Sequence, residues 1–412
     1  MAYVAGFHGG VDDSTVFAPN LAALSVAKEY VRLMPGGMGK ISAILDLMGA
    51  GDAKNIEHFW YTKTMVNPEV TTTATALVGD ATITVGSTAS ILPGMMLQNL
   101  RTYEQVLVLT VPTATTFTAL RATGTTAAAA VNSGDVFAGV GTAFEEGSSR
   151  PGAAAISPVR VANYTQIFRN SWALTDTLRA IQTIAGEGNV AENKRDCVEF
   201  HMRDQEAAII FGEAIAPSAG VVLNGRPLHK MDGIVNTVRL KAAGNVFTAG
   251  ATTNYTQLEG FLDPCFNTQT DPRVGNERLL VVGGQALRVL NAIARLNSQY
   301  QITNDDGPTE ANFGLSFKTF TMPRGTFKLM EHPIMNFHTA WSKMAIAVDL
   351  GSWRKMYLGN RRAMAEEYGA NDKSGARGND QMGGSLTSEF TLEYKNPATS
   401  VVIYNLTAGA AG

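Results

Sequence analysis

Charge is scarce in this chain. Asp, Glu, Lys and Arg make up 17% of its 412 residues, against the quarter that is usual for soluble domains. The formal net charge is −3, which gives no basic field of the kind a dedicated nucleic-acid binder carries. So few solubilising groups point toward a surface covered by other copies of the chain. Cysteine is scarcer still. Cys197 and Cys265 stand alone, each in a helix-like pattern with no C-x-x-C partner, and read as reduced, buried thiols. No apolar run approaches the ~18 residues a membrane span needs, so no membrane contact is expected. The opening MAYVAGFHGGVDD has neither the basic nor the apolar region of a signal peptide. Without a secretory route, the N-x-T sequons at Asn163, Asn254 and Asn405 carry no meaning.

Local catalytic motifs are missing as well. Gly36–Lys40 (GGMGK) has Met34 and Ile41 where a phosphate loop needs Gly and Ser or Thr. The turn Val281-Val282-Gly283-Gly284 lacks the third glycine and the later acidic residue of a dinucleotide site. The six histidines, His8, His58, His201, His229, His332 and His338, show no metal-ligating spacing. Asn304-Asp305-Asp306-Gly307 has no ligand ladder ending in Glu, and no G-x-S-x-G elbow occurs. No cofactor, metal or catalytic residue is assigned, and the chain is not expected to be an enzyme.

Ordinary helix and strand signals are present on both sides of an unusual block. Leu21–Leu33 and Ile41–Leu47 read as helices ended by Gly and Pro. Across Ile56–Val70, Glu57, Phe59, Tyr61, Lys63 and Met65 alternate with His58, Trp60, Thr62, Thr64 and Val66. Aromatics fall on both faces, so both faces are expected to need cover. Further on, Val159–Thr177 reads as one strand ending at a Thr cap, and Val190–Ala214 as a long helix. On that helix Arg195, Glu199 and Arg203 recur at i, i+4 spacing. Thr252–Phe266 and Gln285–Leu296 are amphipathic helices. Leu279–Val282 is a short buried strand, and Leu315–Thr321 with Thr326–Glu331 a hairpin. Gly369–Ser385 reads as a polar loop. Thr387–Lys395 alternates cleanly and is expected to pair with Ser400–Leu406.

The block itself runs from Val70 to Thr142 and holds only five charged residues: Asp80, Arg101, Glu104, Arg121 and Asp135. Short strands at Ala81–Val85, Met95–Leu100, Gln105–Val111 and Thr115–Arg121 are separated by Gly-Asp, Pro-Gly, Pro-Thr and Ser-Gly turns. Regular spacing of this kind makes a small β-sandwich or barrel. Asp135–Phe144 follows as another strand. The strands on either side of the block can pair as one long hairpin with the block at its tip. Such a ribbon is marginal alone in water and needs something to lie on.

The Gly79-Asp80 turn with ATITV, the run ILPGMML, Ser133-Gly134-Asp135, EEGSSRP at Glu145–Pro151 and NYTQIFRNSWALTDT at Asn163–Thr177 resemble the SU10-like group of tailed-bacteriophage major capsid proteins. In order of elements the whole chain is similar to the HK97-type capsid fold. The resemblance implies an α+β architecture with an N-terminal arm at 1–55. It implies an extended E-loop hairpin at 56–70 and 136–150, and an inserted all-β domain at 71–135. A peripheral domain at 151–216 and 341–412 would carry the long spine helix, beside an axial domain at 217–340. It implies intersubunit contact through Glu57, Phe59, Trp60, Tyr61, Lys63, Met65, Phe137, Phe144 and Arg150. Arg195, Glu199 and Arg203 would lie on the spine helix. The partners implied are copies of the chain as hexamers and pentamers in an icosahedral shell. Packaged double-stranded DNA held by non-specific contacts, a portal, and a separate scaffold or decoration protein complete them. The implied location is the virion capsid, after synthesis in the host bacterial cytoplasm. Two alternatives stand beside this reading. One is an encapsulin-type compartment shell, expected to be shorter and to lack the insertion. The other is a soluble α/β enzyme with a β accessory domain.

Overall fold

The computed structural model describes residues 39–63, 68–152, 155–181, 189–267, 276–296, 303–305, 317–368 and 381–409. The helix expected at Leu21–Leu33, most of the 1–55 arm, Met65 and most of the Gly369–Ser385 loop lie outside them. The chain forms two compact units: Tyr61–Val161, and the remainder, Met1–Trp60 with Ala162–Gly412. The architecture is α+β.

The smaller unit is a barrel. Its strands are ordered Glu69–Thr71, Val136–Thr142, Met95–Asn99, Gln105–Thr110, Thr116–Leu120 and Thr82–Thr84, and every ladder is antiparallel. A bridge between Thr72 and Val85, with Thr73 N donating to Thr84 O at 3.1 Å and Gly86 N to Thr71 O at 3.0 Å, joins the two outer strands and closes the sheet on itself. Closure removes the exposed strand edges that an open sheet presents. Ile83, Leu97, Val106, Val108, Phe117, Ala119 and Phe137 fill the interior, with Phe117 and Phe137 edge to face at 6.3 Å. Period-two alternation in each strand puts these residues inside.

Two of the barrel's carboxylates, Glu104 and Asp135, are buried. Glu104 is fully buried and receives Arg121 at 2.7 and 2.8 Å, together with the amides of Ala122 and Ala129. Asp135 receives Arg101 at 2.7 and 2.8 Å and Asn99 Nδ2 at 3.1 Å. Those hydrogen bonds, led by the one from Arg101, hold the Asp135 carboxyl well below the usual carboxylate range. Asp80 caps its own turn through Leu77 N at 2.7 Å. The block therefore uses its charged residues as internal ties.

Among the described residues the larger unit holds two large sheets and a two-stranded ribbon, Val222–Leu223 with Arg226–Pro227. In one large sheet, the 14-residue strand Gln381–Tyr394 lies between Trp353–Leu358 on one side and Gln166–Thr175 on the other, with Met364–Tyr368 also against it. The short strand Gly51–Ala53 runs parallel to Trp353–Leu358. The second sheet has seven strands, with Glu277–Val282 between Gly325–Glu331 and Ala345–Val348, and Val401–Tyr404 beyond. The helices Tyr255–Leu262 and Gly284–Leu296 pack their apolar stripes on it around Leu280, Phe320, Phe327 and Ile403. Asn254 opens the first of these helices with a capping box to Gln257. The seven-stranded sheet draws strands from both 217–340 and 341–412.

Three pairings differ from expectation. Thr387–Lys395 does not pair with Ser400–Leu406. Both sides of Gln381–Tyr394 are already taken, and Asn396-Pro397 opens a 3-10 turn that sends Val401–Tyr404 to the other sheet. Residues 381–385, read as loop, belong to the long strand. The single long hairpin is also split. Glu69–Thr71 does pair with Val136–Ala138, but Glu57–Thr62 pairs with Val159–Tyr164. Val159–Thr177 breaks at Thr165, whose amide donates to Ile56 O at 2.8 Å and whose hydroxyl donates to Glu389 at 2.8 Å. Side-chain and backbone bonds at one residue thus redirect the strand.

Candidate assembly surface

The strand Glu57–Thr62 keeps the alternation read from its sequence, but its two faces have different fates. His58 Nε2 lies 3.0 Å from Glu393 Oε2. Trp60 meets Tyr394 edge on, ring centres 4.8 Å apart, and Tyr394 in turn lies 5.5 Å from Trp353. The hydrogen bond from His58 is the main influence holding the Glu393 carboxyl below its ordinary value, and burial raises the Tyr394 hydroxyl. This face is covered by the chain's own long strand. The other face reaches solvent: Phe59 is 48% and Tyr61 62% exposed, and Lys63 follows on the surface. The expectation that both faces wait for a neighbour is corrected, because the end of Gln381–Tyr394 supplies an aromatic and a carboxylate for one of them.

The remaining residues grouped with this strand separate. Phe137 is a core residue of the barrel, fully buried, because its register opposite Val70 points it inward. It offers nothing to a second molecule. Phe144 is 48% exposed. Its ring covers Gly94, where φ is +85° and an added Cβ would come within 2.5 Å of the ring. Arg150 is exposed, and Met65 lies outside the described residues.

On the long helix Asn189–Phe211, Arg195 reaches Glu199 at 3.7 Å. Arg203 pairs with Asp204 at 3.0 Å and lies over the Phe200 ring. The Arg195–Glu199 pair follows the spacing read from the sequence, while Arg203 also turns to its chain neighbour. The buried stripe is only partly the one that apolar residues mark. Val198, Phe200 and Met202 are exposed, whereas Cys197, His201, Gln205, Glu206, Ile209 and Ile210 are buried. These fall at i, i+4 steps (197, 201, 205, 209), a period visible in the sequence once polar residues are admitted to it.

Two buried polar residues on that stripe, His201 and Glu206, tie it to the rest of the fold. His201 bridges Asn170 Oδ1 and Ser388 Oγ, both at 2.8 Å, fastening the helix to the sheet; burial lowers its pKa. Glu206 accepts from the amides of Ile41 and Ser42 at 2.6 and 2.9 Å and faces His332 Nε2 at 2.8 Å. A carboxylate from one helix thus satisfies the first amides of another, Lys40–Leu47. Lys355 holds the same short helix through Ser42 at 2.8 Å and Asp46 at 3.1 Å, although burial lowers the pKa of its amine. Sequence reasoning missed Glu206 and Lys355 because their partners are over a hundred residues away. Among the described residues no cluster of His, Cys, Asp and Glu could hold a metal ion, and Cys197 and Cys265 are free and buried.

Residues 24–407 match the family model of the SU10 major capsid protein. A curated relative, the major capsid protein of Pseudomonas phage PaMx41, is 34% identical over 411 residues, spanning 97% of this chain and 96% of its own. The chain belongs to the SU10 major capsid protein family. Among solved structures, one from Microbacterium phage Oxtober96 covers 97% of the chain and all of its own length at 9% identity, TM-score 0.48. The holo-SrpI encapsulin complex of Synechococcus elongatus covers 62% of this chain and 80% of its own at 11% identity, TM-score 0.43. As an SU10-type major capsid protein the chain is a structural subunit that builds a virion shell from copies of itself. Family membership over nearly the full length decides for the virion over a cellular compartment. It also gives the internal ties their purpose: a shell subunit must hold its own shape while its outer faces receive neighbours.

Proposed function

We propose that this capsid protein follows the HK97-type plan, assembling as hexamers and pentamers into an icosahedral shell around double-stranded DNA. In this reading 1–55 is the arm, 56–70 with 136–150 the E-loop, 71–135 the inserted domain, 151–216 with 341–412 the peripheral domain and 217–340 the axial domain. The DNA contacts are non-specific, in keeping with a net charge of −3, and the portal and a separate scaffold or decoration protein join the same shell. Synthesis takes place in the host cytoplasm.

The observation that carries the intersubunit part is the two-sided strand Glu57–Thr62. His58 and Trp60 fasten it to Glu393 and Tyr394, while Phe59 and Tyr61 stand exposed. A strand held on one face presents the other at little entropic cost on binding. Phe59, Tyr61 and Lys63 are thus the contact residues, and Phe144 and Arg150, both exposed, are further contact residues. Glu57 is half-buried and shares their face. The test is the double variant Phe59→Ser/Tyr61→Ser. Burying an aromatic at an interface is worth about 1.5–3 kcal/mol, so each contact weakens by at least an order of magnitude. The subunit should keep its circular dichroism spectrum while shells vanish from sedimentation profiles. Shells of normal yield and heat resistance would refute the assignment.

A further inference from the structure

The barrel carries an aliphatic row on its outer surface. Met96 lies opposite Leu107, and Leu107 opposite Leu120, while their strand neighbours Leu97, Val106 and Ala119 are buried. Side chains paired across a ladder share a face, so Met96, Leu107 and Leu120 form one line across three strands. Leu109, the unpaired residue of the bulge that follows Val108, is 49% exposed and Leu120 53%. On the other side of Met96 the register is irregular beside Gly141, and Val140 stands 55% exposed there. At about 4.8 Å between strands, the line from Val140 to Leu120 extends roughly 14 Å.

The strands beneath this row, Met95–Asn99, Gln105–Thr110, Thr116–Leu120 and Val136–Thr142, contain no charged residue. The block's two arginines are bound to its two buried carboxylates. The row is flanked on one side by the facing amides Gln98 and Gln105 and on the other by hydroxyls joined to each other, Thr110 to Thr118 at 2.6 Å.

We infer that this row is a barrel-to-barrel contact, occupied in the shell by the same row of a second copy. Charge complementarity selects that occupant. Where a row meets the same row of a second copy, a charge near the two-fold axis meets its like, and here four adjacent strands have none. A partner of different sequence would place no such restriction on the face. Barrel closure leaves no open strand edge, so copies meet through side chains and do not add strands to one another. Five aliphatic side chains fall well short of the ~800 Å² per partner of a free-standing interface. The contact therefore forms only where the shell already holds two barrels close, by effective concentration, and isolated subunits do not dimerise through it. The inference rests on the chain forming a shell of copies.

The test uses the full chain with Leu120→Glu, with Leu120→Lys, and with both variants co-expressed. Hydrogen exchange of the unassembled subunits should show both barrels folded, since Leu120 lies outside the core. Shells of either single variant should disassemble at a lower temperature than wild type, or fail to form. Mixed shells should regain more than half of the loss, because unlike charges then meet across the contact. Single-variant shells as heat-resistant as wild type would overturn the inference, and so would mixed shells as weak as the single ones; the latter would assign the row to a different partner, such as a decoration protein. Failure of the wild-type chain to form shells would instead count against the assembly reading itself.

Discussion

Replacing Arg121 with Met tests whether the barrel depends on its internal charges. Arg121 meets Glu104 through two hydrogen bonds of 2.7 and 2.8 Å, with the two side chains 9% and 0% exposed. Removing one partner of a buried pair costs about 3–5 kcal/mol, because the other charge stays buried without compensation. The amides of Ala122 and Ala129 would still reach Glu104 at 3.2 and 3.1 Å, which places the cost near the lower end, about 3 kcal/mol. At 1.4 kcal/mol per factor of ten, protection against exchange should fall by roughly two orders of magnitude. All four tryptophans, Trp60, Trp172, Trp341 and Trp353, lie outside the barrel, so their fluorescence would miss the change. Hydrogen exchange of the full chain resolves it: peptides within 68–142 should lose protection while Trp353–Tyr394 keeps its own. Adding Glu104→Gln should restore more than half, since the stranded charge is then gone. The pH dependence has a definite sign. Burial, the largest influence, pushes the Glu104 carboxyl upward, and the Arg121 bonds with the two amides outweigh it, so its pKa sits below the ordinary value. Without Arg121, burial raises it. The penalty is then full above that raised value and fades as pH falls through it toward the ordinary glutamate value of about 4.3, so the deficit at pH 4 should be smaller than at pH 7. A loss under tenfold, or equal losses in both units, would refute this account.

Two further outcomes are expected. Trp60→Ala should lower the melting temperature of the unassembled subunit, with a cost of about 2–3 kcal/mol for a half-buried aromatic lost from Tyr394; an unchanged melt would show that this face does not secure the strand. Acid should loosen the same strand. The depressed pKa of Glu393 gives stability that is present above the unfolded value and lost as pH falls below about 4. Exchange at Glu57–Thr62 should therefore rise from pH 5 to pH 3 in the native chain and much less so in Glu393→Gln; identical profiles would remove the His58 bond from the explanation.

Where local signals were complete, the sequence was sufficient. The barrel strands were legible because each has its own alternation and its own turn, and closure then needed only the meeting of Thr72 with Val85. Thr175 and Thr177 were both candidates for a cap, and it is the Thr175 hydroxyl that accepts from Leu178 N. The assembly strand was half legible. Alternation assigned Phe59 and Tyr61 to one face and His58 and Trp60 to the other, but nothing local said that Glu393 and Tyr394 would arrive to cover the second. Phe137 was misread for the same reason: an aromatic on a strand has two possible directions, and register chose the interior.

The residues alone determined the periods, the turns, the near absence of free charge in the block and the family to which the chain belongs. Those properties arise within a few neighbouring positions, where backbone geometry sets which side chains share a face. Only the tertiary structure decided which face was already occupied, why Glu206 lies buried beneath a helix that begins 166 residues before it, and that the last strand joins a different sheet. Such choices depend on partners far along the chain, and they are settled by which buried polar group finds its hydrogen bond and which strand edge is still open.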